Sequence, residues 1–388
     1  MAGRNAAGGG SIRKKTVIRN GKEYQYWEAR VTVGHDPATG KQIQKSFTAK
    51  TQREVREKMN KAAVEVTEGS YKEESRITVK EWADIWLDNY LLQVKPTTKV
   101  QYKTVAKNHI IPALGRCKLA DLKPYMIQKL YNDLSGELSV ATVRSVAHIL
   151  RAMLECAVKN DMIKSNPAVN CVMPKKEKSD IQVLSGDEIP AFLEAVKGNK
   201  LELLFKVALF TGMRAGEILG LSWDEIDFDR GEIEIRQQLQ LVGKEKMLLS
   251  PKSGKSRLLH PAPIVMEFLK AQKKLQDSKR AAAGRYWSEK GLVFTSETGG
   301  ELSRTAIRIH FKKAVSKIGR PEMRFHDLRH SYAVASIQAG DDIKTIQENL
   351  GHSTAAFTMD IYLHVTDHMK VDSSNRMQRY IEQLIREK

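Results

Sequence analysis

The stretch LELLFKVALFTGMRAGE, residues 201–217, governs how this sequence is interpreted. Residues 201–210 form an apolar helical segment, and the polar turn after it brackets Arg214 between Gly212 and Gly216. An arginine at a helix start is ordinarily an ion-pair residue, and Glu217, three positions on, reads as a structural partner rather than a catalyst. The setting of Arg214 gains weight from four downstream motifs: PKSGKSR at 251–257, HDLRH at 326–330, LGHS at 350–353 and MDIYLH at 359–364.

Around this stretch, the chain from Val183 onward reads as mainly helical. Residues 231–238 and 246–260 are strand-rich and flank Gly243 and Gly254. PKSGKSR has the look of a hairpin, with Lys252 in its turn. The segment PKKEKSD (174–180) has no apolar periodicity and reads as a linker. The expected division is therefore 1–74, 75–178 and 179–388, the last an α-rich domain with a small antiparallel sheet. In the middle part, Thr78 and Glu81 form a capping box, and Val79, Trp82, Ala83, Trp86 and Tyr90 recur at helical spacing. Further helices are expected over 97–108, 124–134 and 140–160, separated by proline- and glycine-containing breaks. Lys95, Lys99, Lys103 and Lys107 fall four apart along one helix face, a solvated row that also suits a track of phosphates. At the N-terminus, Trp27, Ala29, Val31 and Val33 alternate with Tyr26, Glu28, Arg30 and Thr32, the pattern of a half-buried strand. With turns at Asn20-Gly21 and over 36–40, the pattern predicts a three-stranded sheet, followed by a helix opened by the capping box Thr51–Glu54. The fold class expected is multidomain and mainly α, with this small α+β unit in front.

Lysine and arginine number 64 against 46 aspartates and glutamates, a net charge of +18 spread along the chain. Such an excess calls for a polyanion. No uninterrupted apolar run is long enough to span a bilayer, so nucleic acid is favoured over membrane. Cys117, Cys156 and Cys171 are odd in number and widely spaced, offering neither a disulfide framework nor a metal cluster. A reducing cytoplasm is the simplest setting.

The motifs define a chemistry. Cleaving a phosphodiester without a metal requires neutralised charge, a nucleophile that loses its proton and a leaving oxygen that gains one. A guanidinium binds two non-bridging oxygens at once and stays charged, which fits Arg214 and Arg329. His326 lies three residues before Arg329 and shares its face if the segment is helical; His330 is assigned to packing. Lys252 has the reach of a loop lysine, whereas Lys255 and Arg257 read equally as solvated or phosphate-facing. His352 ends an amphipathic segment. Between Tyr362 and Tyr332, composition alone does not choose a nucleophile.

Taken in order, these motifs resemble those of the tyrosine recombinase family of phage and conjugative-transposon integrases, over about residues 79–364. The resemblance implies catalytic roles for six residues, Arg214, Lys252, His326, Arg329, His352 and Tyr362. The arginines would neutralise transition-state charge, Lys252 would protonate the leaving 5′ oxygen and His326 would act as acid-base partner. His352 would bind the scissile phosphate, and Tyr362 would form a 3′-phosphotyrosyl link. It further implies a helical core-binding domain, no cofactor or metal, and a homotetramer exchanging strands of double-stranded DNA through a Holliday junction. The N-terminal unit resembles arm-binding domains, so integration and excision of a mobile element is expected, in a bacterial cytoplasm, with an excision factor and a host DNA-bending protein. Arg30 and Lys45 are candidate arm contacts on the sheet face. Around residues 372–387, Met377, Ile381 and Leu384 at helical spacing form a candidate oligomerisation helix. A type IB topoisomerase and a non-catalytic DNA-binding regulator are the alternatives.

Overall fold

The computed structural model describes residues 10–19, 22–35, 39–68, 76–175, 182–251, 254–351, 377–378, 381–382 and 385. Two compact units divide the chain, residues 1–176 and 177–388.

In the first unit, β1 (Gly10–Arg19), β2 (Lys22–His35) and β3 (Gln42–Ala49) form an antiparallel sheet in sequence order, followed by α1 (Gln52–Thr67). The Glu54 amide donates to Thr51 Oγ1 at 3.3 Å, as the capping motif predicts. Cross-strand partners share a face, so Gly10, Val31 and Lys45 lie together on the side that α1 covers, where Met59 abuts Gly10. Arg30 pairs with Ser11 and Ser46 and faces the other way. The expectation that Arg30 and Lys45 serve one sheet face is thereby corrected. Alternation gave the phase of β2, but β3 could be phased only through pairing, which shifts at the irregularity between Thr32 and Gly34.

The rest of this unit is helical: α2 (Val79–Asn89), α3 (Pro96–Val105), a π turn (Ala106–Ile110), α4 (Ile111–Leu114), α5 (Pro124–Glu137) and α6 (Val140–Lys159). The Thr78–Glu81 box is formed in both directions, and Val79, Trp82, Ala83 and Trp86 are core residues. Trp82 satisfies its buried indole by donating to the Met153 carbonyl at 2.9 Å. Tyr90 instead caps the helix at the surface, its hydroxyl 2.7 Å from Asn160 Oδ1. The helix expected to stop near residue 108 runs on to Leu114, because the π turn before Pro112 accommodates a residue that lacks an N–H and crowds the preceding turn. Lys95, Lys103 and Lys107 are exposed and Lys99 is half-buried, with Lys95 at the N-cap of α3 and Lys107 in the π turn. All three cysteines are partly buried free thiols.

The second unit begins with α7 (Glu188–Val196), α8 (Glu202–Thr211) and α9 (Ala215–Gly220). Strands β4 (Ile226–Asp227), β5 (Glu232–Ile235), β6 (Gln238–Val242), β7 (Glu245–Leu249) and β8 (Arg257–Leu259) come next. Helices α10 (Pro263–Ala283), α11 (Arg304–Lys317), α12 (Asp327–Ala339) and α13 (Ile343–Leu350) complete it. Phe192, Phe205, Phe311 and Phe325 stack edge-on and tilted at its centre. The strands make two sheets, β4-β5-β8 and the hairpin β6-β7. The hairpin thus lies at Gly243, whose φ of 64° suits a two-residue turn, and not at PKSGKSR, which joins strands of different sheets. Among the described residues no helix is long and apolar enough to cross a membrane.

Candidate active site

Gly212 ends α8 in the left-handed conformation, φ 62°. A Cβ there would lie 2.6 Å from both the Leu350 and Tyr332 side chains, so only glycine lets α8, α12 and α13 approach this closely. Arg214 stands two residues later, at the N-cap of α9. From the first turn of α12, Arg329 reaches the same place. Its side chain is buried, and it donates Nη1 to the Gly212 carbonyl at 2.8 Å and Nη2 to the Leu350 carbonyl.

Two further guanidiniums meet the end of α13. Arg214 Nη2 donates to the Gly351 carbonyl at 3.0 Å, and Arg257 Nε donates to the Asn349 carbonyl at 2.9 Å. Three consecutive carbonyls, Asn349, Leu350 and Gly351, are therefore each held by a different arginine. Carbonyls at a helix C-terminus lack partners within the helix and carry the negative end of its dipole, so cations are favoured there.

Glu217 lies between Arg214 and Arg257. Its Oε1 accepts from Arg214 Nη1 (2.8 Å) and Arg257 Nη1 (2.9 Å), and its Oε2 from the Arg214 amide (2.9 Å) and Arg257 Nη2 (2.7 Å). Burial alone would raise this carboxyl, but the fork of Arg257 and the contacts of Arg214 bring it down to about 2. The reading of Glu217 as a structural partner of Arg214 agrees with this geometry. Burial, with Arg214 nearby, lowers the Arg329 guanidinium to about 9, still charged at neutral pH.

His326 sits at the N-cap of α12, edge-on to His330 with ring centroids 5.1 Å apart. Burial first, then His330 and Arg329, push its imidazole down to about 4, so it is neutral at pH 7 and can accept a proton. His330 is buried and also lowered, by burial first. His326 and Ala215 border a cavity of about 260 Å³ whose rim carries Arg304, Arg308, Lys312 and Arg324.

The structure thus brings together Arg214, His326 and Arg329 from motifs more than a hundred residues apart. Lys252, His352 and Tyr362 lie outside the described residues, as does Leu384. Lys252 falls between β7 and β8, and His352 comes directly after Gly351. Met377, Ile381 and Ile385 are helical and exposed. Sequence reasoning leaves Arg257 undecided. A usable signal was present: period-two alternation sets Arg257 on the same side of β8 as buried Leu259, with exposed Leu258 opposite.

Residues 182–369 match the phage integrase family and residues 78–135 match the N-terminal SAM-like domain of phage integrases. A XerC-like tyrosine recombinase of Caldanaerobacter subterraneus subsp. tengcongensis is 31% identical over 383 residues, 93% of this chain and 97% of its own length. A truncated Tn1549 transposon integrase in complex with circular-intermediate DNA superimposes with a TM-score of 0.65 at 20% identity, covering 78% of this chain and 99% of that one. A lambda integrase tetramer bound to a Holliday junction superimposes with a TM-score of 0.56 at 19% identity, over 89% and 94% of the two chains.

Proposed function

This chain belongs to the phage integrase family and is a site-specific tyrosine recombinase, and we propose that it integrates and excises a mobile element by DNA transesterification. The observation that carries this reading is the junction of three motifs. Arg214 of TGMRAGE and Arg329 of HDLRH grip the Gly351 and Leu350 carbonyls of LGHS, one step before His352.

In the proposed reaction, Arg214 and Arg329 hold the non-bridging oxygens of the scissile phosphate and offset the charge that develops there. The Tyr362 hydroxyl attacks phosphorus as neutral His326 takes its proton. A 3′-phosphotyrosyl bond forms, the bond to the 5′ oxygen breaks, and Lys252 protonates that oxygen. His352 donates a hydrogen bond to the same phosphate. Bond energy is retained in the phosphotyrosine, and the reverse attack by a 5′ hydroxyl rejoins the strand.

The proposal extends to double-stranded DNA at core and arm sites, with Lys95, Lys99, Lys103 and Lys107 along the core-site backbone and Arg30 on the arm-facing side of the sheet. The Tn1549 and lambda complexes support DNA as partner, and the lambda tetramer supports fourfold assembly through a Holliday junction. An excision factor, a host DNA-bending protein and action at the bacterial nucleoid complete the scheme.

The test is covalent trapping in EDTA, on a nicked duplex carrying the element's own end sequence. Wild type is expected to yield an adduct that maps to Tyr362, and Tyr362→Phe none despite retained DNA binding. Equal trapping by the two proteins would overturn the assignment.

A further inference from the structure

Resting on the recombinase reading, we infer that Arg257 is a positioning residue for DNA cleavage, the side chain that fixes Arg214 and the end of α13 in their working geometry. Its own side chain is only 10% exposed. All three of its nitrogens are engaged within the protein: Nη1 and Nη2 clamp both oxygens of Glu217, and Nε holds the Asn349 carbonyl. Glu217 in turn holds Arg214 by its guanidinium and its backbone amide. One planar fork therefore ties β8 to α9 and to α13, the elements that carry Arg214 and lead into His352.

The geometry leaves little freedom. A Cβ on Gly351 would come within 3.0 Å of Arg257 Nη1, so the glycine after α13 makes room for this arginine as well as ending the helix, with φ 63°. Without the fork, the fully buried Glu217 carboxylate would keep only Arg214 as its cation among the described contacts and draw that guanidinium toward itself. The Asn349 carbonyl would lose its donor at the same time. Arg257 acts through these partners and does not touch DNA.

Cleavage of a phosphodiester by wild type, Arg257→Met and Arg257→Lys is compared with cleavage of a substrate whose scissile phosphate bears a methyl group in place of one non-bridging oxygen. That substrate starts neutral and carries one negative charge fewer than the phosphodiester in its transition state, so it leaves less charge for Arg214 to neutralise. Arg257→Met is expected to slow cleavage of the phosphodiester about 10²-fold. On the neutral substrate the deficit should shrink to about 3-fold or less, because less of the charge to be offset depends on the misplaced group. Arg257→Lys keeps the charge without the fork and should fall between the two. Rates are referred to the fraction of protein that binds the duplex, which removes loss through misfolding. An equal deficit on both substrates, or none on either, would overturn the proposal. Failure of wild type to cleave where Tyr362→Phe also fails would instead overturn the recombinase site itself, and this proposal with it.

Discussion

Glu28 in the first unit and Glu217 in the second are each surrounded by cations, and the two sites are built differently. On the sheet face away from α1, Glu28, itself only 6% exposed, has Arg13 Nε at 2.7 Å, Lys15 at 3.5 Å and Arg30 at 3.6 Å, and these three cations remain 53%, 41% and 44% exposed. In the second unit, Glu217 has no exposure, and Arg257 and Arg214 are 10% and 20% exposed. Water reaches the three cations of the first cluster and weakens each of their pairs with Glu28. The second is desolvated, and each charge there depends on the others. The first leaves its cations at the surface, and the second holds its charges in one fixed arrangement.

Glu217→Gln should set the two clusters furthest apart. Two arginines would be left under-compensated in the interior, and unfolding by urea should show a loss of about 3–5 kcal/mol. Next comes Arg329→Lys, which cannot hold the Gly212 and Leu350 carbonyls with a fork. Its cleavage rate should fall about 10²-fold in single-turnover assays with DNA binding largely kept.

A pH titration separates the buried charges from the exposed ones in another way. Glu217, held at about 2 in the folded chain, contributes stability above its unfolded value of about 4.5 that is lost as pH falls toward 2. His326, held at about 4 against about 6.5 unfolded, contributes stability that is complete above pH 6.5 and declines as pH falls toward 4. Wild type should therefore lose stability in two successive windows below neutrality, and Glu217→Gln should lose less in the lower one, where other carboxylates held low, such as Glu188 and Glu202, still contribute.

Smaller effects belong to the surface. Lys103→Ala should lower the slope of log affinity against log salt by about one without changing the urea midpoint. The least effect is expected from Glu28→Gln: a small drop in the urea midpoint, since the Arg13 fork loses its charged partner, with DNA binding about 2-fold to 5-fold tighter at low salt and the same at high salt.

Much of this was legible because it is local. The Thr78–Glu81 capping box and the tryptophans of α2 lie within one element and are seen as read, whereas the alternation of β2 holds for Ala29 and Val31 but Glu28 and Thr32 of the expected polar face are buried too. Arg214, His326 and Arg329 could be picked out by their motifs, though the meeting of the two arginines at the end of α13 could not. What escaped was non-local: the face that Lys45 occupies depends on strand pairing, the true hairpin on which strands share a sheet, and the task of Arg257 on residues 40 and 92 positions away. Pro112 misled for a different reason, since a breaker signal does not foresee a π turn that absorbs it.

The grip on Asn349, Leu350 and Gly351 also marks a seam in the chain. All three arginine anchors upstream of His352 are made to main-chain carbonyls, which any sequence provides, while Gly351 is held to having no side chain at all. The chain therefore leaves this glycine from a point fixed by main-chain contacts rather than by the side chains that stand there.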